Sequence, residues 1–363
     1  MQLGSRASKK YSDPNAWHNQ FYSLVTTKID EDIFKPLFPE GKKSGRPNAS
    51  IRILVAMSVL KEGFGCSDED LFEKCEFDLL TRKALGMELL TDVTPSIDTY
   101  YLFRRRICEY QERTGIDLMQ LCFEQLAGKH VHLLKISGKC VRMDSKLIGS
   151  NIARQSRYEL IHTTLVKFLK TCTLTHLSPE QEERAKEYLK EDSSKTVYRS
   201  DSDTLQSNLA RIGNFIMEML AVFPATSPAH DLLLRLFEEQ YVVMDGKAVL
   251  RDKKEVKADS LQNPNDPDAT YRAKNDQKVQ GYVTNITETV EEGKPNIITS
   301  VQVETAVFAD CHFLQEAVEN SERVTDSTIE DLYADGAYQS PDNREFAKNH
   351  NAMQLKTGKM QGG

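Results

Sequence analysis

The chain has 363 residues, enough for more than one domain at roughly 100–200 residues each, and its 39% hydrophobic content supplies a sizeable core. Net charge is −7, which argues against nucleic-acid binding by the whole surface but not by a local stripe of Lys and Arg: residues 1–143 hold 21 Lys and Arg against 19 Asp and Glu, the rest 26 against 35. No apolar run of about 18 residues, no secretory signal and seven cysteines without a Cys-x-x-Cys pair exclude a membrane span and a zinc knuckle, and suit a reducing cytoplasm.

The first 140 residues read as helical. After the turn-prone Gly45-Arg46-Pro47, the stretch from Asn48 to Glu62 carries Ile51, Leu54, Val55 and Val59 at helical spacing, and Gly63 and Gly65 close it. A second helix starts at Ser67, with Asp70 in a capping-box position. A third follows Pro95-Ser96, with Tyr100, Phe103 and Ile107 on one face and Arg104, Arg105 and Arg106 on the other. A fourth covers about Asp117 to Leu126. Short helices with tight turns followed by an arginine-rich one suit a helix-turn-helix-like DNA-binding module, while a bundle with merely solvated arginines is the plainer reading.

From Lys139 the pattern changes. Cys140-Val141-Arg142-Met143 alternates as a strand and leads to Asp144. A helical stretch runs from about Tyr158 to Tyr241, broken at Ser178-Pro179, at the polar run Glu191 to Asp203 and at Pro224 to Pro228. A turn-rich loop, Asn263 to Asp268, comes next. Val279 to Val290 and Ile297 to Val303 form a hairpin around Glu291 to Asn296. His312 to Arg323 is an amphipathic helix, and Ile329 to Ala334 is a strand closing on Asp335. A short helix about Phe346 and a last strand about Ala352 to Leu355 complete the order.

With the insertion set aside, the order is strand, strand, strand, helix, strand, helix, strand, the order of an RNase H-like fold. The first and fourth strands are then neighbours mid-sheet, and Asp144 and Asp335 converge. Two close carboxylates repel each other unless a counter-charge is present. A divalent cation supplies it, and Mg²⁺ suits hard oxygen ligands. The bland alternative is that Asp335 merely caps a turn before Gly336.

The sequence resembles the DDE transposases of bacterial insertion sequences, the group with an InsH-like N-terminal domain. The N-terminal resemblance rests on Gly45-Arg46-Pro47-Asn48, Ser67-Asp68-Glu69-Asp70-Leu71-Phe72-Glu73, Ala84-Leu85-Gly86 and Thr99 to Arg106. The core resemblance rests on Met143-Asp144-Ser145-Lys146, Asp266 to Arg272, Gly281-Tyr282 and Tyr333 to Tyr338. It implies a helical N-terminal domain (1–135) and a mixed α/β, RNase H-like core (136–363) with a helical insertion at about 155–260. Asp144 and Asp335 become the first two catalytic acids, binding Mg²⁺ or Mn²⁺, with two ions in an intact relative. Arg46, Arg104, Arg105 and Arg106 become DNA-binding candidates. Arg272, Lys274 and Lys278 stand as phosphate contacts beside Asp144, with a solvated strand edge as the plainer reading. The implied partners are double-stranded DNA, as element ends and target, and a second copy of the chain.

In that family a third acid, a Glu, lies on a helix after the last core strand. Only 28 residues follow Asp335, and Glu288, Glu304 and Glu345 are misplaced for the role. The expectation is therefore a truncated product with two of three acids. A non-catalytic remnant that only binds DNA is the alternative. An RNase H-type hydrolase of RNA–DNA hybrids fits the core order but not the N-terminal helices.

Overall fold

A computed structural model describes residues 4–38, 49–89, 91–224, 227–274 and 277–358. Its architecture is mixed α/β, as the order of elements leads one to expect.

Seven helices open the chain: α1 (Ser5–Tyr11), α2 (Trp17–Leu24), α3 (Ile51–Phe64), α4 (Asp68–Phe77), α5 (Leu79–Ala84), α6 (Ile97–Thr114) and α7 (Leu118–Leu134). Side chains set their ends. Ser50 caps α3, and Gly65 at φ 60° stops it in the left-handed conformation that glycine adopts without penalty. Ser67 and Asp70 form a full capping box on α4. Ser96 caps α6 and Asp117 caps α7. The helices enclose a core of Phe34, Leu54, Met57, Leu71, Tyr100 and Phe103. The buried Arg82 clips α5 to the chain around it, donating to the carbonyls of Cys75 (3.0 Å), Leu89 (2.7 Å) and Asp92 (3.0 Å).

Strand β1 (Cys140–Gly149) follows, and then the insertion: α8 (Arg157–Leu169), α9 (Pro179–Lys190), α10 (Ser193–Arg199), α11 (Ser202–Val222), α12 (Pro228–Gln240) and a hairpin of β2 (Tyr241–Met244) and β3 (Lys247–Leu250). It has its own core, including Tyr158, Leu165, Phe168, Phe215, Leu236 and Tyr241. Two details differ from the sequence reading. The polar run after Glu191 holds a short helix, capped by Asp192. The hairpin turns on Asp245-Gly246, both at positive φ.

The chain returns with β4 (Thr270–Lys274), β5 (Gln277–Thr289), β6 (Ile298–Thr305), α13 (Leu314–Thr325), β7 (Asp331–Ala334), α14 (Pro341–Asn349) and β8 (Gln354–Thr357). The sheet order is β6-β5-β1-β7-β8, with β4 also pairing β5. The long β5 is antiparallel to β1, β4 and β6, whereas β7 is parallel to both β1 and β8. Val141, Met143, Leu332 and Ala334 face α13 and α14, packing on Leu314, Ala317, Val318 and Ala347. The opposite face is open over β1 and β7, where Arg142, Asp144, Lys146 and Tyr333 are exposed.

Helix α7 joins the N-terminal helices to the sheet. Glu124 accepts from the Arg323 guanidinium of α13 at 2.7 and 3.3 Å. Lys294 donates to the Leu134 carbonyl (2.8 Å), and the Ser137 amide donates to Glu291 (2.7 Å).

Candidate active site and nucleic-acid interface

Residues alternate between the two faces of a strand, so Arg142, Asp144 and Lys146 share the open face of β1. The parallel pairing of β1 with β7 runs Cys140 with Asp331, Val141 with Leu332 and Arg142 with Tyr333. Asp144 and Asp335 each lie two residues beyond the last pair of this ladder, Arg142 with Tyr333. Asp144 is exposed and Asp335 half-buried. The Ser145 amide donates to Asp144 Oδ1 at 2.9 Å, and the Ala337 amide donates to Asp335 Oδ1 at 2.7 Å. Asp335 thus caps the Gly336–Tyr338 turn and borders the open face; the two readings of this residue are compatible.

Tyr338, at the end of that turn, is fully buried. Burial drives its phenol pKa upward, a hydrogen bond with Ser145 opposes this, and the charges of Asp310, Asp144 and Asp335 add to the rise. One ring therefore feels both carboxylates.

The surroundings are of mixed sign. Arg142 pairs with Glu288, which is its register partner on β5. Lys146 is exposed two residues beyond Asp144. On β8, Lys356 pairs with Asp331 at 2.7 Å and lies over the Tyr333 ring at 5.0 Å. Asp144, exposed, and Asp335, half-buried, are the groups that could hold a divalent cation. Among the described residues, no group of three His, Cys, Asp or Glu is arranged to hold a metal.

The remaining candidates divide. Arg46 lies outside the described residues. Arg104 and Arg105 project from α6 with half or more of each side chain exposed; Arg104 stands 3.9 Å from Asp68, and Arg105 lies 3.5 Å from Glu109 one turn on. Arg106 is half-buried over the Phe38 ring. It lines a groove of about 500 Å³ together with Ser50 and Ser96, the caps of α3 and α6. The Arg272 guanidinium is engaged with buried Asp310 (3.2 Å) and with the carbonyls of Ala306 and Phe308 (3.3 and 3.1 Å). Lys274 ends β4, and Lys278 is exposed on β5 opposite Ala273. The β4–β5 hairpin extends past Gly149, the last β1 residue paired with β5, so these three candidates belong to the far end of the sheet from Asp144.

Sequence reasoning did not single out the buried Asn285 and Tyr338, which a 2.7 Å hydrogen bond joins. Tyr338 falls within a block that carried the resemblance. Asn285 left no signal of that kind.

The geometry is that of a mixed α/β protein with a helical N-terminal module and two carboxylates, Asp144 on β1 and Asp335 just after β7, whose strands pair in parallel. Residues 10–106, the N-terminal helices up to Arg106, match the family described as Transposase domain (DUF772). No curated protein and no solved structure matches the chain. The match supports a transposase, and it spans the capping box of α4 and the arginine helix but not the sheet. Among the described residues no helix is long and apolar enough to cross a membrane.

Proposed function

We propose that the protein is a DDE-type transposase whose RNase H-like core cleaves and joins DNA with Asp144 and Asp335 as its paired acids. The observation that supports this best is the parallel pairing of β1 with β7, whose last pair, Arg142 with Tyr333, lies two residues before Asp144 and Asp335. An open face accepts an extended polymer; small-molecule sites are concave and bury most of their ligand.

In this reading Asp144 and Asp335 bind Mg²⁺ or Mn²⁺, which when bound activates a water or a 3′-hydroxyl and stabilises the leaving oxygen. Lys146, exposed on the same face, holds a phosphate of the strand being cut. Arg142 is kept from closing on Asp144 by Glu288. Arg272 positions the segment after β6 through Asp310 and contacts no DNA. On the N-terminal helices Arg104 and Arg105 contact phosphates, and the capped starts of α3 and α6 add backbone N–H groups favourable to anions. The DNA is the element's own ends and a target duplex, and two copies of the chain hold the paired ends.

Asp144→Asn and Asp335→Asn each lower Mg²⁺-dependent nicking of a duplex carrying the element's ends by at least about 10²-fold and leave binding of that duplex unchanged. Nicking by either variant at the wild-type rate overturns the assignment. A wild-type chain that binds the ends selectively but never nicks them replaces it with a DNA-binding role alone.

A further inference from the structure

We infer that Tyr338 is a positioning residue that sets the spacing and aim of Asp144 and Asp335; its importance for chemistry rests on the function proposed above, whereas its bracing role does not. The phenol donates to Asn285 Oδ1 at 2.7 Å. Asn285 Nδ2 donates to Gln302 Oε1 at 2.9 Å. Gln302 Nε2 donates in turn to Glu316 Oε2 at 3.0 Å and to the Phe313 carbonyl at 3.3 Å. Tyr338, Asn285 and Gln302 are all buried. The chain of polar groups therefore runs under the covered face of the sheet, from the Gly336–Tyr338 turn across β5 and β6 to α13.

Two connections bring this chain to the carboxylates. Asn285 is the register partner of Ser145 on β1, so the phenol's acceptor lies across from the residue next to Asp144. At its other end Tyr338 is the third residue after Asp335, and the amide of the intervening Ala337 holds the Asp335 carboxylate. The Tyr338 carbonyl accepts from Asn343 Nδ2 at 2.8 Å, which fixes the turn from the α14 side. Asp144 lies on β1 and Asp335 just after β7; the phenol's acceptor adjoins the first strand and its own turn carries the second acid. A ring of the same shape without the hydroxyl would leave Asn285 Oδ1 without its donor and would release the turn from β5.

The test is Tyr338→Phe, with Val318→Ala as a control that opens a gap under the same sheet without touching the polar chain. Amide hydrogen exchange at Ala337 and calorimetric titration with Mn²⁺ are both read. Tyr338→Phe speeds Ala337 exchange about 10-fold and weakens Mn²⁺ binding by about 10-fold or more, as loss of an outer-shell partner does. Val318→Ala lowers the melting temperature and leaves both readings at the wild-type value. Asn285→Ala, which removes the phenol's acceptor, shifts them in the same direction, and decides the question if Tyr338→Phe does not fold. Wild-type exchange at Ala337 in both variants overturns the inference. A wild-type chain that ignores Mn²⁺ counts against the metal-dependent function, and Ala337 exchange still decides the bracing role.

Discussion

At the scale of single residues, the carboxylates of Asp144 and Asp335 are each held by a backbone amide close by, that of Ser145 at 2.9 Å and that of Ala337 at 2.7 Å. The buried support behind the Asp335 turn was not legible in the sequence. Asn285 and Tyr338 are 53 residues apart, and a contact at that separation leaves no periodic trace. The alternation in β5 also misleads: polar Asn285 and Thr287 point into the covered face, while Ile286 stays 39% exposed beside Asp144's register position. The rule that apolar side chains point inward assigns these faces the wrong way round, because a buried polar group is tolerated once it is hydrogen-bonded. Gly281 is a further case. It stands opposite Gly149, and a β-carbon there would collide with the Ile148 carbonyl and lie 2.6 Å from the Ser150 nitrogen. Neighbouring Tyr282 and Ser150 both donate to Asp266, drawing β5, β1 and the returning loop together. Gly281→Ala therefore destabilises by about 1–3 kcal/mol, the usual cost of overpacking. Urea unfolding within about 0.5 kcal/mol of wild type, the range of an ordinary surface change, would contradict this account.

Among elements, capped helices were the most readable, since Ser67, Ser96 and Asp117 stop and start the chain by local hydrogen bonds. The hairpin of β2 and β3 shows what a helical reading up to Tyr241 passes over: Asp245-Gly246 between Val242-Val243 and Val249 is a strong short-range hairpin signal. Helices α8 and α9 are joined by something no periodicity reveals. His162 of α8 is buried, with Nε2 at 3.1 Å from the Tyr188 carbonyl and 3.6 Å from Glu191, which also accepts from Tyr158 at 2.7 Å. Burial lowers the imidazole pKa, and the nearby Glu191 only partly offsets it. The unfolded chain takes up this proton below about pH 6.5, whereas the folded chain resists it. Stability from this site is therefore complete above that pH and is lost as pH falls toward the lower folded value, at no more than about 1.4 kcal/mol per pH unit. Denaturant titrations at pH 7.5 and 5.5 will show the loss in the wild type and a smaller one in His162→Gln; equal losses would place its origin elsewhere.

Across the whole molecule, charge is divided as the sequence suggested, with the surplus of acid after residue 143. DNA affinity carried by the N-terminal helices should then depend on few cations despite the net −7. Replacing Arg104 and Arg105 together by Ala lowers the slope of log affinity against log salt by about two, since each phosphate contact contributes roughly 0.9. A slope unchanged in filter-binding titrations would move the contacts to another surface. The three separate cores make the sequence's division into helical module, sheet and insertion intelligible. The order of elements already set the first and fourth strands side by side, as β1 and β7 are, although β1 pairs with distant segments: it meets β5 and β7, with the whole insertion before β5. That arrangement has a consequence during synthesis. At roughly 5–20 residues per second, β1 waits on the order of 10 s after leaving the ribosome before β5 follows. For that interval both of its edges are bare, an invitation to pair with other chains. The insertion has a core of its own and emerges first, so it can condense around the waiting strand's C-terminal end. The strand pairing that leads up to Asp144 and Asp335 closes only when β7 docks, one of the last events in the birth of the molecule.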